Sequence, residues 1–164
     1  MAVPTLVRER TPQLIVLAVI LALNAIISPG FFSIGIQNGR FYGSLIDVLN
    51  RGAPVTLLAI GMTLILILKH IDLSVGYVAG FSGAVAAILL TKYSLNVWLS
   101  ILLVLLLGLA IGFYQGTLVT RVKVPAFVTT LAGMFIFRGL LNLTLQETGT
   151  IIIPDATFNA LSNG

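Results

Sequence analysis

Five windows almost free of charge, each near the length of a bilayer crossing, constrain this chain more than any other feature. A helix needs about 20 apolar residues to cross roughly 30 Å of hydrocarbon. Residues 11–39 hold no Asp, Glu, Lys or Arg, with an apolar heart at 14–27, LIVLAVILALNAII. Residues 52–68 read GAPVTLLAIGMTLILIL, and residues 73–91 read LSVGYVAGFSGAVAAILLT. A fourth window covers 93–120, and a fifth starts at Pro125, PAFVTTLAGMFIFRGLLNLTL, with Arg138 inside it. These windows predict an all-α, polytopic transmembrane helix bundle of about five spans, near residues 13–29, 52–68, 73–91, 95–120 and 125–145.

Composition excludes the main alternatives. The 164 residues are 58% hydrophobic and 9% charged, against about 25% charged in soluble domains. Mean hydropathy is +1.10. Too few polar residues are present to cover a soluble globule. The net charge of +4 fits Lys and Arg in cytoplasmic loops. No basic cluster with interleaved aromatics supports a nucleic-acid partner. With no cysteine, disulfides, thiolate metal sites and a Cys nucleophile are excluded. One His and five carboxylates give no basis for a metal site, and no cofactor is expected. No Walker-type phosphate loop, HExxH or GxSxG occurs, so the chain reads as a non-enzyme with no catalytic residue.

Arg8 and Arg10 precede the first window as a signal-peptide n-region would, but the apolar run is too long and no small-x-small cleavage site follows. It reads as a retained anchor. With the N-terminus cytoplasmic, that side carries Arg8, Arg10, Lys69, Arg121 and Lys123, and the far side carries Arg40, Arg51 and Lys92. Positive charge then favours N-in, C-out; Asp47, Glu147 and Asp155 fall outside and count little. Pro29-Gly30 ends the first helix. Phe31, Phe32, Phe41 and Tyr42 suit a membrane interface. Residues 44–51 form either an interfacial helix or an extension of the second span, and nothing in 146–164 signals a sixth span.

The polar residues within this apolar chain are the candidate site. In KHIDLSVG (69–76), Asp72 and Ser74 are good N-cap types before an apolar run. A carboxylate there also meets the positive end of a helix dipole. One reading is a helix cap, with Lys69 and His70 at the interface. The sharper one is a structural hinge beside a transport path. A catalytic carboxylate is disfavoured, because no second acid or nucleophile stands near it in sequence. Gly76-x-x-x-Gly80, Ala79-x-x-x-Gly83 and Gly83-x-x-x-Ala87 follow one another, and Gly108, Gly112 and Gly116 repeat the spacing in the fourth window. Such faces either pack closely against another helix or form a wall along a cavity. Arg138 lies about 20 Å into the fifth helix, where it snorkels outward or faces a partner. Gln115 and Tyr114 are further polar groups within a span. Asn142-Leu-Thr144 matches a glycosylation triplet.

VLNRGAPVTLLAIGMTLILILKHIDLSVG (48–76) and KVPAFVTTLAGMFIFRG (123–139) resemble two ordered signatures of the permease subunits of bacterial ABC sugar importers. NGRFYGSLIDVLN (38–50) leans toward the galactofuranose branch of the ribose and galactose type. The resemblance implies an inner-membrane, multi-pass permease component that forms part of a sugar translocation pathway. Implied partners are a second permease subunit, cytoplasmic ATPase subunits, a periplasmic sugar-binding protein and the lipid bilayer. It also implies that Asp72, Ser74 and Gly76 shape the junction between the second and third helices. Arg138 matches the family's Arg-Gly. Lys69-His70 departs from the usual Gly-Gly, and Lys and His resist the φ values that glycine permits. Family members are about twice as long, so residues 1–164 are expected to be the N-terminal portion of a permease domain. A small membrane scaffold, or a permease fragment without transport, is the rival reading.

Overall fold

The computed structural model describes residues 5–28, 30–37, 40–145 and 149–162, with backbone alone for 5–10, 37, 40, 159, 161 and 162. Pro29, Glu147 and the side chains of Arg8 and Arg10 lie outside the described residues. The elements run α1 (Thr5–Ile27), β1 (Gly35–Gln37), β2 (Arg40–Tyr42), α2 (Ser44–Ile67), α3 (Val75–Thr91), α4 (Val97–Thr120), α5 (Ala126–Leu145) and α6 (Ala156–Ser162).

Helix is the form an apolar run takes in hydrocarbon, because it satisfies every backbone donor and acceptor within the segment. α2, α4 and α5 are long and apolar enough to cross a membrane, and Thr11–Ile27 and Val75–Thr91 are shorter apolar helices. The 17 residues of α3 reach about 26 Å, just short of the hydrocarbon thickness. Residues 44–51 belong to α2 as its first turns. α6, with 7 residues, is too short to cross.

Contacts divide the chain into two compact units, residues 1–59 and 60–164. The first holds α1, the beginning of α2, and a small antiparallel hairpin that sequence reading did not foresee. Gly35 pairs with Tyr42 and Ile36 with Phe41. Gly43 leaves the hairpin at φ +146°, where a Cβ would strike the Ser33 carbonyl, so only glycine fits there. Phe31 and Phe32 meet edge to face at 5.0 Å.

In the second unit α3 packs against both α4 and α5, and α4 meets α5. α3 and α5 run parallel. Thr130 bonds to Ile71 near one end. Further along, Phe137 lies 5.9 Å from Phe81. A Cβ on Gly80 would sit 3.2 Å from Leu141. α4 runs back between them in sequence and touches Ser74 through Gln115. Three helix ends stop on a residue other than glycine with positive φ: Lys69 (60°), Ser94 (50°) and Lys123 (66°). At the end of α2, the His70 N–H donates to Ile65 O at 3.1 Å and the Lys69 N–H to Leu66 O at 2.9 Å. This is the paired bond pattern of a Schellman stop, whose left-handed position usually belongs to glycine.

The interior of this unit is polar. Among the described residues, Ser74, Ser100, Gln115, Thr129 and Thr130 are buried, alongside Ala84, Ala87 and Val97 as the buried apolar set. Large apolar side chains such as Leu102, Leu105, Leu109 and Phe113 point outward. Lipid tails are as apolar as leucine, so close packing of small residues and internal hydrogen bonds hold such helices together.

Candidate functional site

The junction between α2 and α3 is built on Asp72. Its Oδ1 accepts the Ser74 backbone N–H and the Ser74 hydroxyl, both at 2.7 Å. The short polar side chain thereby replaces helix bonds that the first turn of α3 lacks. Ser74 occupies the N-cap position of α3, but its hydroxyl makes no capping bond. It points inward, fully buried, toward Gln115 on α4.

A single hydroxyl proton orders this contact. Both ends of the Gln115 amide lie near Ser74 Oγ, Nε2 at 3.1 Å and Oε1 at 3.2 Å. A serine hydroxyl has one proton, and the shorter bond, to a carboxylate oxygen, takes it. Gln115 Nε2 therefore donates to Ser74 Oγ, which donates to Asp72 Oδ1. From α5, Thr130 Oγ1 donates to Ile71 O at 3.1 Å. Also on α5, Gly133 lies beneath the amide: a Cβ there would collide with Gln115 Nε2 and stand 3.4 Å from Ser74 Cβ. Three helices thus converge on a turn of a few residues.

Two cavities flank Gln115. One of about 440 Å³ is lined by His70, Asp72, Gly112, Gln115, Gly116 and Thr130, among others. The other, about 200 Å³, lies between α4 and α5 and is lined by Tyr114, Gln115, Thr129, Ala132, Gly133 and Phe137, among others. The end of the unit that carries the first cavity is basic. Lys69, His70, Arg121 and Lys123 are exposed where α2 and α4 end and α3 and α5 begin, with Asp72 as the acid among them. The Ser74 hydroxyl that bonds to the Asp72 carboxylate is fully buried. What the arrangement offers is a fixed turn beside a largely apolar cavity, whose wall also carries His70, Asp72, Gln115 and Thr130.

Asp72, Ser74 and Gln115, read separately in the sequence, come together here. At Gly76, Gly83, Gly108, Gly112 and Gly116 a Cβ would meet nothing within 4 Å, whereas Gly80 faces Leu141. Gly112 and Gly116 line the larger cavity. Arg138 is exposed on α5 and Tyr114 is exposed on α4. Asn142 and Thr144 lie within α5, where the Thr144 hydroxyl donates to Leu140 O at 2.7 Å. Sequence reading missed Thr129, Thr130 and Gly133. The only local signal was two adjacent threonines and a glycine in VTTLAG, a pattern indistinguishable from ordinary helix.

The family model described as branched-chain amino acid transport system / permease component matches residues 44–159. The chain is 42% identical over 149 residues to the galactofuranose transporter permease protein YtfT of Escherichia coli (strain K12), covering 90% of this chain and 43% of the relative. It is 40% identical over 108 residues to the autoinducer 2 import system permease protein LsrC of Photorhabdus luminescens, 66% of this chain and 32% of the relative. Over 126 residues it is 34% identical to the ribose import permease protein RbsC of Haemophilus influenzae, 77% of this chain and 36% of the relative. The chain spans less than half the length of these relatives. No solved structure matches it.

Proposed function

We propose a role from one premise: the chain belongs to the branched-chain amino acid transport system / permease component family. In this reading, residues 1–164 are the N-terminal portion of the membrane-spanning component of an ATP-driven sugar importer. The observation that carries it is the 42% identity over 149 residues with a galactofuranose transporter permease. A second permease subunit completes the pathway, cytoplasmic ATPase subunits drive it, and a periplasmic sugar-binding protein delivers the sugar. The protein lies in the inner membrane with its N-terminus cytoplasmic. That orientation puts the basic end bearing Lys69, Arg121 and Lys123 on the cytoplasmic side, in keeping with the positive-inside bias.

No bond of the sugar is broken. Transport proceeds by helix movement about a fixed site, and the ATPase supplies the energy. Asp72, Ser74 and Gly76 shape the junction of α2 and α3, and Gln115 ties that junction to α4. Gly112 and Gly116 leave the wall of the larger cavity open. The cavity offers a hydroxyl, an amide and a carboxylate to a neutral polyhydroxylated ligand.

The test is uptake of labelled galactofuranose by cells expressing this chain joined in frame to the C-terminal half of a relative, with the matching ATPase and binding protein. ATP-dependent uptake, lost when the ATPase is inactivated, is the expected result. A well-expressed, ATPase-bound fusion that moves no sugar would overturn the reading.

A further inference from the structure

Gln115 keeps hydrogen-bonding capacity that its known partners do not use. Its Nε2 donates one proton to Ser74 Oγ, whose own proton goes to Asp72. The second Nε2 proton is left over, and Nε2 is the amide atom nearest α5, since a Cβ on Gly133 would collide with it. A primary amide carries two donors and an acceptor with two lone pairs, and this one is 8% exposed.

A second group nearby lacks a partner. Thr129 is 5% exposed and its hydroxyl has no hydrogen bond. Other threonines in these helices donate to the carbonyl four residues back: Thr91, Thr117, Thr120 and Thr144 at 2.7 to 2.8 Å. Thr129 does not, although its backbone N–H reaches Pro125 O at 3.1 Å. Thr129 and Gln115 line the same cavity of about 200 Å³ between α4 and α5. A water needs about 10–15 Å³ of free volume and two to four polar partners, so the space is ample and partners stand on two helices. Unpaired polar groups buried at membrane depth are costly.

We infer that the cavity between α4 and α5 is a hydroxyl-binding site, in which a water or the hydroxyl of a small solute accepts the second Gln115 Nε2 proton and bonds to Thr129 Oγ1. Gly133 makes the site possible, because a side chain there would displace the amide. Gln115 and Gly133 separate the site from Ser74, so its occupant completes the polar layer joining α3, α4 and α5. This inference does not depend on the sugar-transport reading.

The experiment is solution NMR of the chain in deuterated micelles with glutamine side chains labelled with ¹⁵N, the Gln115 signal being assigned by its loss in Gln115→Leu. A rotating-frame cross-peak between water and the Gln115 amide protons is expected. It should fall at least twofold in Thr129→Val and return in Thr129→Ser. Repeating the measurement with D-galactose separates the sources. A persistent water cross-peak identifies water, and its replacement by cross-peaks to sugar C–H protons identifies a solute hydroxyl. A wild-type Gln115 signal with neither cross-peak would overturn the inference, and that spectrum requires no variant to fold. An undiminished cross-peak in a folded Thr129→Val would also overturn it.

Discussion

Gly133→Ala should destabilise the three-helix unit, against the usual direction of that substitution. In a helix interior alanine is better than glycine by about 1 kcal/mol. At Gly133, however, the new Cβ collides with Gln115 Nε2 and comes within 3.4 Å of Ser74 Cβ. Moving the amide away breaks its bond to Ser74, and hydrogen bonds between membrane helices average about 0.6 kcal/mol, with about 1.7 as the upper value. Forcing an extra carbon into a packed interior costs about 1–3 kcal/mol. The sum, about 2–4 kcal/mol less the 1 gained from propensity, leaves a net loss of about 1–3 kcal/mol. Gly139→Ala on the same helix is the control, since a Cβ there meets nothing within 4 Å. That variant should gain up to about 1 kcal/mol. Reversible unfolding in mixed micelles, followed by the fluorescence of the single tryptophan, Trp98 on α4, reads both. In a Gln115→Ala background the collision partner is gone, and Gly133→Ala should lose its penalty. Equal stability for Gly133→Ala and Gly139→Ala, or a penalty that survives Gln115→Ala, would refute the reasoning.

Further outcomes follow from the same geometry. Lys69→Gly should stabilise the chain by about 1 kcal/mol in the same unfolding measurement, because Lys69 holds φ +60° and a left-handed conformation costs a residue with a Cβ about 1–2 kcal/mol. Thr130→Val should cost about 0.5–1.5 kcal/mol by loss of the bond to Ile71 O; no change would mean that this bond does not hold α5 to the turn. Arg138→Leu should ease insertion of the isolated α5 segment by about 3 kcal/mol in a translocon assay, because the Arg is exposed on a helix of 20 residues. An unchanged insertion fraction would mean that the Arg snorkels clear of the hydrocarbon at little cost.

Much of the helical architecture was legible because hydrocarbon imposes a length and a composition. The windows at 52–68, 73–91 and 95–120 fall on α2, α3 and α4 within a few residues, apart from the early turns of α2. Those turns, residues 44–51, carry Asp47 and Arg51, which left an interfacial helix open beside the extension of the span that the structure shows. The hairpin escaped because strands of three residues, GIQ and RFY, are too short to display alternation. The cluster was legible only in part. Asp72 and Ser74 stood out as polar residues before an apolar run, and Gln115 as an amide inside one. Their meeting joins positions 41 residues apart, which no local pattern encodes. Gly133 gave no signal, since its importance lies in the space it leaves for another helix's side chain. The left-handed turn at Lys69 was visible only through the resemblance, which places glycine there.

Ser74 and Gln115, bonded across α3 and α4, are expected to act as one unit in transport. A double-mutant cycle of Ser74→Ala and Gln115→Ala in the full-length fusion, scored by ATP-dependent galactofuranose uptake at equal expression, tests this directly. If the bond across α3 and α4 positions the junction, either single change should lose as much uptake as the double, leaving a strongly non-additive cycle. Additive losses, or full uptake in the double variant, would contradict it.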